Sequence, residues 1–217
     1  MKEQLQKDFD NIIRNLSLSQ RDTEIKQFYL DNFINKGFPN RRDENWKFSD
    51  LNQIIKKNIG ELSFYNDYTF TNKVDTSVFV DGLEHNKIVF INGRIEKIDF
   101  DYEKKDQIEI IDKSETINKF NNNNSLSDLN NAFTNKSFKI IVKNGYQLVK
   151  PLIIYHITNP DIWSKNINLR LDFELGKDSS LRLIDLYNDT SEKNFLNIFY
   201  NFDLKENAVL KNYKVDK

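Results

Sequence analysis

The chain contains no cysteine among its 217 residues. Thiolate metal sites, disulfides and cysteine nucleophiles are therefore excluded within it. It has no surplus of either charge, since 32 basic and 33 acidic side chains leave a net charge of −1. General nucleic-acid binding normally shows as a basic excess, so nucleic acid is not an expected partner. No window approaches the roughly eighteen uninterrupted apolar residues of a membrane-spanning helix, so no membrane is expected either. The opening MKEQLQKDFDNIIRNL is charged throughout and lacks the apolar stretch of a secretory signal. A cysteine-free chain without such a signal fits the cytoplasm. Enzyme signatures are missing too: there is no GK[ST] phosphate loop, no G-x-S-x-G, no H-E-x-x-H and no dinucleotide fingerprint.

What is present is an apolar share of 38%, with 17 Phe and 9 Tyr, which marks a folded chain with an aromatic-rich core. A chain of this length buries about 70% of its unfolded surface and needs no covalent staple. The first sixty residues read as helical. Leu5, Phe9, Ile12, Ile13 and Leu16 share one face, and Ile25, Phe28, Tyr29, Leu30, Phe33 and Ile34 form a second set. Ser19 is placed to cap the second helix, Gly37 to end it, and Pro39 follows. A third short helix is expected from Ser49 or Asp50, with Ser49 able to cap it.

Ile88 to Phe90, Asn92-Gly93 and the following IEKI read as a hairpin, because Asn-Gly favours a type I′ turn. A strand at Ile108 to Ile111 is expected to extend that sheet. Short helices are expected near Glu115 to Phe120 and Leu126 to Phe133, and the Asn121 to Asn124 run reads as a polar loop. From Phe138 the pattern becomes six strand candidates, at Phe138–Val142, Leu152–Ile157, Ile167–Phe173, Leu181–Tyr187, Phe195–Phe202 and Ala208–Tyr213. Several alternate, with Leu169, Leu171, Phe173 and Leu175 on one side and Arg170, Asp172 and Glu174 on the other. Gly145, Gly176 and Asn159-Pro160 punctuate the run. An antiparallel sandwich and a β-helix both fit this pattern.

Three stretches carry a family resemblance. The first runs Gly37-Phe38-Pro39-Asn40-Arg41-Arg42-Asp43-Glu44-Asn45-Trp46-Lys47-Phe48-Ser49-Asp50-Leu51. The second is Val89-Phe90-Ile91-Asn92-Gly93-Arg94. The third is Leu129-Asn130-Asn131-Ala132-Phe133, then Phe138 to Val142, then Val149-Lys150-Pro151-Leu152-Ile153-Ile154-Tyr155-His156. In this order, over about residues 28 to 157, they resemble the SufD family of the SUF iron–sulfur cluster assembly system. The resemblance implies a mainly β chain with an α-helical N-terminal domain and a right-handed parallel β-helix. That β-helix is incomplete here and lacks the C-terminal helical domain, since family members run to roughly twice this length, beyond the usual range of a single domain. The implied division is 1–60 helical, 61–135 a mixed connecting segment with the Asn-Gly hairpin, and 136–217 the first coils of the core.

The implied role is that of a scaffold subunit acting by protein–protein contact with a SufB-type paralogue and a SufC-type ATPase. The SufC contact is expected in the missing C-terminal part. No cofactor or metal is expected on this chain, the Fe–S cluster being handled by the complex, and no residue is expected to be catalytic. Arg41, Arg42, Glu44, Trp46, Lys47, Asn92, Gly93, Asn130, Phe133 and Pro151 are the signature positions, read as structural. Trp46 is expected to seat the loop after the second helix, with Glu44 pairing Arg41 or Arg42. His156 reads as a satisfied strand histidine and His85 as a solvated loop residue. Alternatives are a stand-alone truncated β-solenoid interaction module and a β-helix polysaccharide-active enzyme. The latter would use carboxylates such as Asp172, Glu174 and Asp185, all expected to face away from the core.

Overall fold

The computed structural model describes residues 2–16, 18–64, 78–113, 124–135, 137–158, 162, 164–189 and 193–216. Helices α1 (Lys2–Asn15) and α2 (Gln20–Lys36) follow the predicted apolar spacing. The Ser19 hydroxyl accepts the Asp22 N–H at 3.1 Å and caps α2. Gly37 ends that helix at a φ of 73° and returns its N–H to the Phe33 carbonyl. At α3 (Leu51–Asn58) it is Asp50, not Ser49, that caps, accepting the Gln53 N–H. Helix α4 (Ser125–Phe133) starts at Asn124, whose side chain accepts the Leu126 and Ser127 N–H groups. The helix expected near Glu115 to Phe120, most of the Asn121 to Asn124 run and the Asn159-Pro160 turn lie outside the described residues.

Strands β1 (Asn86–Ile91) and β2 (Arg94–Asp99) form the predicted hairpin, with Asn92 at φ 52° and Gly93 at φ 78°. Strand β3 (Ile108–Lys113) does not extend it. It pairs antiparallel with β4 (Ser137–Val142) in the other sheet. The remaining strands are β5 (Leu152–Thr158), β6 (Asn166–Leu175), β7 (Ser180–Asp189), β8 (Phe195–Leu204) and β9 (Val209–Asp216). One sheet has the order β2-β1-β5-β7-β9 and the other β3-β4-β6-β8. Apart from the β1–β2 and β3–β4 pairs, all neighbours are parallel.

The chain is thus α/β, with two mixed, mostly parallel sheets and four α-helices among the described residues. This corrects the expected right-handed parallel β-helix and the expected α-helical N-terminal domain. The parallel pairings equally exclude an antiparallel sandwich. From β4 onward successive strands alternate between the sheets, so the crossover that parallel neighbours require is a strand of the opposite sheet. Alternation in a sequence fixes which side chains share a face, but not which strand lies alongside. The helices do not stand apart either, because a helix with one apolar stripe must bury it against another layer. Leu129, Ala132 and Phe133 of α4 complete the core made by Leu5, Phe9, Tyr29, Leu30 and Phe33, and Phe195 of β8 packs on it.

The principal core lies between the sheets. Ile88, Phe90, Leu152, Ile154, Leu181 and Leu183 come from one sheet, and Phe138, Ile140, Val142, Leu169, Leu171, Phe173 and Leu175 from the other. At one end of the sheets the connecting turns stack. Gly145 N–H donates to the Lys177 carbonyl and Asp178 N–H to the Glu206 carbonyl, while the Asn144 side chain accepts the Lys177 N–H. A Cβ at Gly176 would lie 2.6 Å from the Asn144 backbone nitrogen, so this stacking requires glycine there. No helix among the described residues is long and apolar enough to cross a membrane.

Candidate functional site

A polar cluster interrupts the core between the sheets. Its members follow from strand parity. Position 156 faces inward with Leu152 and Ile154, positions 185 and 187 with Leu181 and Leu183, and position 200 with Ile198 and Phe202. Parallel, in-register pairing then sets Phe90, His156 and Tyr187 in one row across β1, β5 and β7. Their rings stack, with centroids 5.7 Å apart for Phe90–His156 and 4.9 Å for His156–Tyr187. Tyr200 reaches the row from the opposite sheet and stacks on Phe173 and Phe202.

His156 and Asp185 are almost wholly buried, at 3% and 0% exposure. His156 Nε2 lies 2.9 Å from Tyr200 Oη and 3.4 Å from Asp185 Oδ1. The Tyr200 hydroxyl donates a short hydrogen bond to Asp185 Oδ1. A neutral imidazole protonated on Nε2 satisfies this geometry, donating to Tyr200, which donates onward to the carboxylate. Burial pushes the His156 pKa below its usual value, and the hydrogen bond and charge of Asp185 oppose this only in part. Burial and the neighbouring Asp185 charge push the Tyr200 phenol well above its usual range, with Tyr187 adding to the effect. Asp185 Oδ2 is buried with no hydrogen-bond partner. Lys214 of β9 stands beside Asp185 in register, exposed, with Nζ 6.0 Å from the Tyr200 ring centroid.

Most of the signature positions lie elsewhere. Arg41, Arg42, Glu44 and Lys47 are exposed, and Glu44 begins a 3-10 turn that ends at Trp46. Among the described residues Glu44 pairs with neither Arg41 nor Arg42. Trp46 is half-buried against the helical core. Asn92 and Gly93 make the hairpin turn, and a Cβ at Gly93 would approach Ile167 Cγ2 to 2.8 Å. Asn130 donates to the Leu169 and Asn197 carbonyls at 3.0 and 2.6 Å, fastening α4 to β6 and β8. Phe133 fills the helical core, and the Pro151 carbonyl accepts the Asn86 N–H at 2.9 Å. Gly93 lines a small pocket together with His156, and the other signature positions are not gathered with the polar cluster.

Two further expectations are corrected at the residue level. His85 is buried, not solvated: its Nδ1–H donates to the Leu83 carbonyl and its Nε2 accepts from Tyr155 Oη at 2.8 Å. Residues 78–85 cover the outer face of the first sheet there, with Phe79 edge-on to Tyr155. Asp185 faces the core, not away from it. The sequence carried that signal, since Asp185 shares the parity of Leu181 and Leu183. Tyr200 carried none beyond its place in an apolar strand. The other two carboxylates sit on outer faces beside cations, Asp172 by Arg170 and Glu174 by Lys139. The three are therefore not assembled in one groove. Among the described residues, no group of three or more His, Cys, Asp or Glu is arranged to hold a metal ion.

Fold and cluster together define an α/β protein of two facing, mostly parallel sheets with a buried His–Tyr–Asp network between them. No family model matches the chain, and no curated protein matches it.

Proposed function

We propose that this chain is a cytoplasmic scaffold subunit of a SUF-type iron–sulfur cluster assembly complex, working by contact with a SufB-type paralogue and a SufC-type ATPase. The observation that carries the reading is the ordered set of signature stretches from Gly37 to His156. The packing roles of Gly93, Asn130, Phe133 and Pro151 suit a family signature that preserves a framework. Two long end strands, β8 and β9, add support, because each has an outer edge with no strand neighbour among the described residues, and such an edge is a natural place for another chain to join. Leu204, Val209, Tyr213 and Val215 are exposed apolar residues on those strands.

Co-expression of the full reading frame with SufB-type and SufC-type proteins of the same source tests the assignment. A complex that co-purifies through affinity and size-exclusion steps is the expected outcome. Separate elution of all three proteins overturns it.

A further inference from the structure

We infer that the loop from Asn40 to Asp50, together with the exposed side of α3, is a docking surface for an acidic segment of another protein, with Phe48 as its anchor. Phe48 is 88% exposed, more than any other large apolar side chain among the described residues. The loop that presents it is tightly bonded. Leu51 N–H donates to the Pro39 carbonyl at 3.0 Å and closes it. Within it the Asp43, Trp46 and Ser49 N–H groups donate in succession to the Asn40, Asp43 and Trp46 carbonyls. Phe38, Trp46, Leu51 and Ile55 all pack in or against the helical core, so Phe48 is the ring that this core does not take. Ile54 of α3 is 43% exposed as well, and Lys57 stands three residues on, on the same side of the helix.

Charge around Phe48 selects the partner. Residues 41–57 carry five cations, Arg41, Arg42, Lys47, Lys56 and Lys57, against the three carboxylates of Asp43, Glu44 and Asp50, in a chain whose net charge is −1. Two of those carboxylates are spent on the backbone. Asp43 accepts the Asn40 N–H at 2.8 Å, and Asp50 accepts the Gln53 N–H at 3.0 Å. All five cations are exposed, and none forms an ion pair among the described residues. Elsewhere Lys36, Lys150 and Lys177 each hold a carboxylate at 2.8 Å or less. The unneutralised group calls for carboxylates from outside, and arginine beside an aromatic ring is the composition of an interface anchor. Lys47 Nζ lies 5.9 Å from the Phe48 ring centroid, so a carboxylate that meets the lysine also lies beside the ring. Glu44 sits among the cations, which suits a protein surface of mixed charge better than an anionic bilayer, whose attraction needs an unopposed basic cluster. This surface belongs to the helical layer and stands whether or not the chain is a cluster-assembly scaffold.

Display of random short peptides against the purified native chain, counter-selected on Phe48→Ala, tests the surface. Peptides that combine several Asp or Glu with an apolar residue are expected to be enriched. The strongest of them, synthesised and titrated, should bind Phe48→Ala about tenfold more weakly, a loss of the size that marks an interface anchor. Arg41→Glu with Arg42→Glu should weaken it by a similar factor, and added salt should weaken binding to the native chain. Tyr213→Phe, on the exposed face of β9, leaves binding unchanged. Phe48→Ala should melt like the native chain, because its ring is exposed. No acidic enrichment, equal binding by Phe48→Ala, or a lowered melting temperature of that variant overturns the surface. So does binding to phosphatidylglycerol vesicles, or self-association of the chain, that Phe48→Ala abolishes.

Discussion

Glu103 shows how a single carboxylate can organise a loop. It accepts from Asn86 Nδ2 at 2.7 Å, Tyr146 Oη at 2.6 Å and the Val149 and Lys150 N–H groups at 3.1 and 3.0 Å. Burial raises its pKa, but these hydrogen bonds outweigh that and hold it below the usual range. Glu103→Ala leaves four donors, one buried and three partly buried, without their acceptor at once and is expected to cost about 2–4 kcal/mol in a denaturant titration. Trp46 is a different case. A fully buried ring would cost about 3–5 kcal/mol on truncation to alanine. Half-buried as it is, Trp46→Ala should cost less than about 3 kcal/mol. Unchanged melting behaviour would refute its seating role.

At the scale of elements, α4 is the hinge between the helical layer and the sheets. Lys36 Nζ pairs with the buried Asp128 at 2.8 Å. Lys26 Nζ donates to the Thr134 carbonyl at 2.6 Å and the Asn131 carbonyl at 3.2 Å, at the C-terminal end of α4 where carbonyls lack helical partners. Burial lowers the Lys26 pKa from 10.5 to about 8, against the smaller opposing pull of Asp22. Between those two values the unfolded chain keeps a proton that the folded chain has lost. Stability linked to Lys26 therefore rises with pH from about 8 to 10.5 and is flat below. Thermal melts of the native chain and of Lys26→Met across that range should diverge, with the steeper rise in the native chain. Parallel curves would show that this lysine does not titrate there.

For the whole molecule, the two sheets end on β9 and β8, which have no further strand neighbour among the described residues. In register, Tyr213 and Val215 of β9 lie beside Ile184 and Leu186, so they prolong the apolar outer face of the first sheet. Such an edge templates association with another chain. Concentration-dependent self-association of the isolated chain is expected by light scattering, and Val209→Lys with Tyr213→Lys should reduce it. A native chain that stays monomeric at high concentration would refute this.

Local order was legible in the sequence. Apolar spacing placed all four α-helices of the described residues in advance, Asn92-Gly93 fixed the hairpin, and the six later strands fall close to where alternation set them. Those features depend on a few neighbouring residues. Strand partners, the joining of α1–α3 to α4, the burial of His85 and the meeting of His156 with Tyr200 depend on residues far apart in the chain. Parity alone already aimed Asp185 inward, yet its partners came from two sheets that only folding brings face to face. The resemblance to a scaffold family rests on the chain's own letters, whereas the polar network within the core exists only through tertiary packing, because no local rule sets which strand lies beside which.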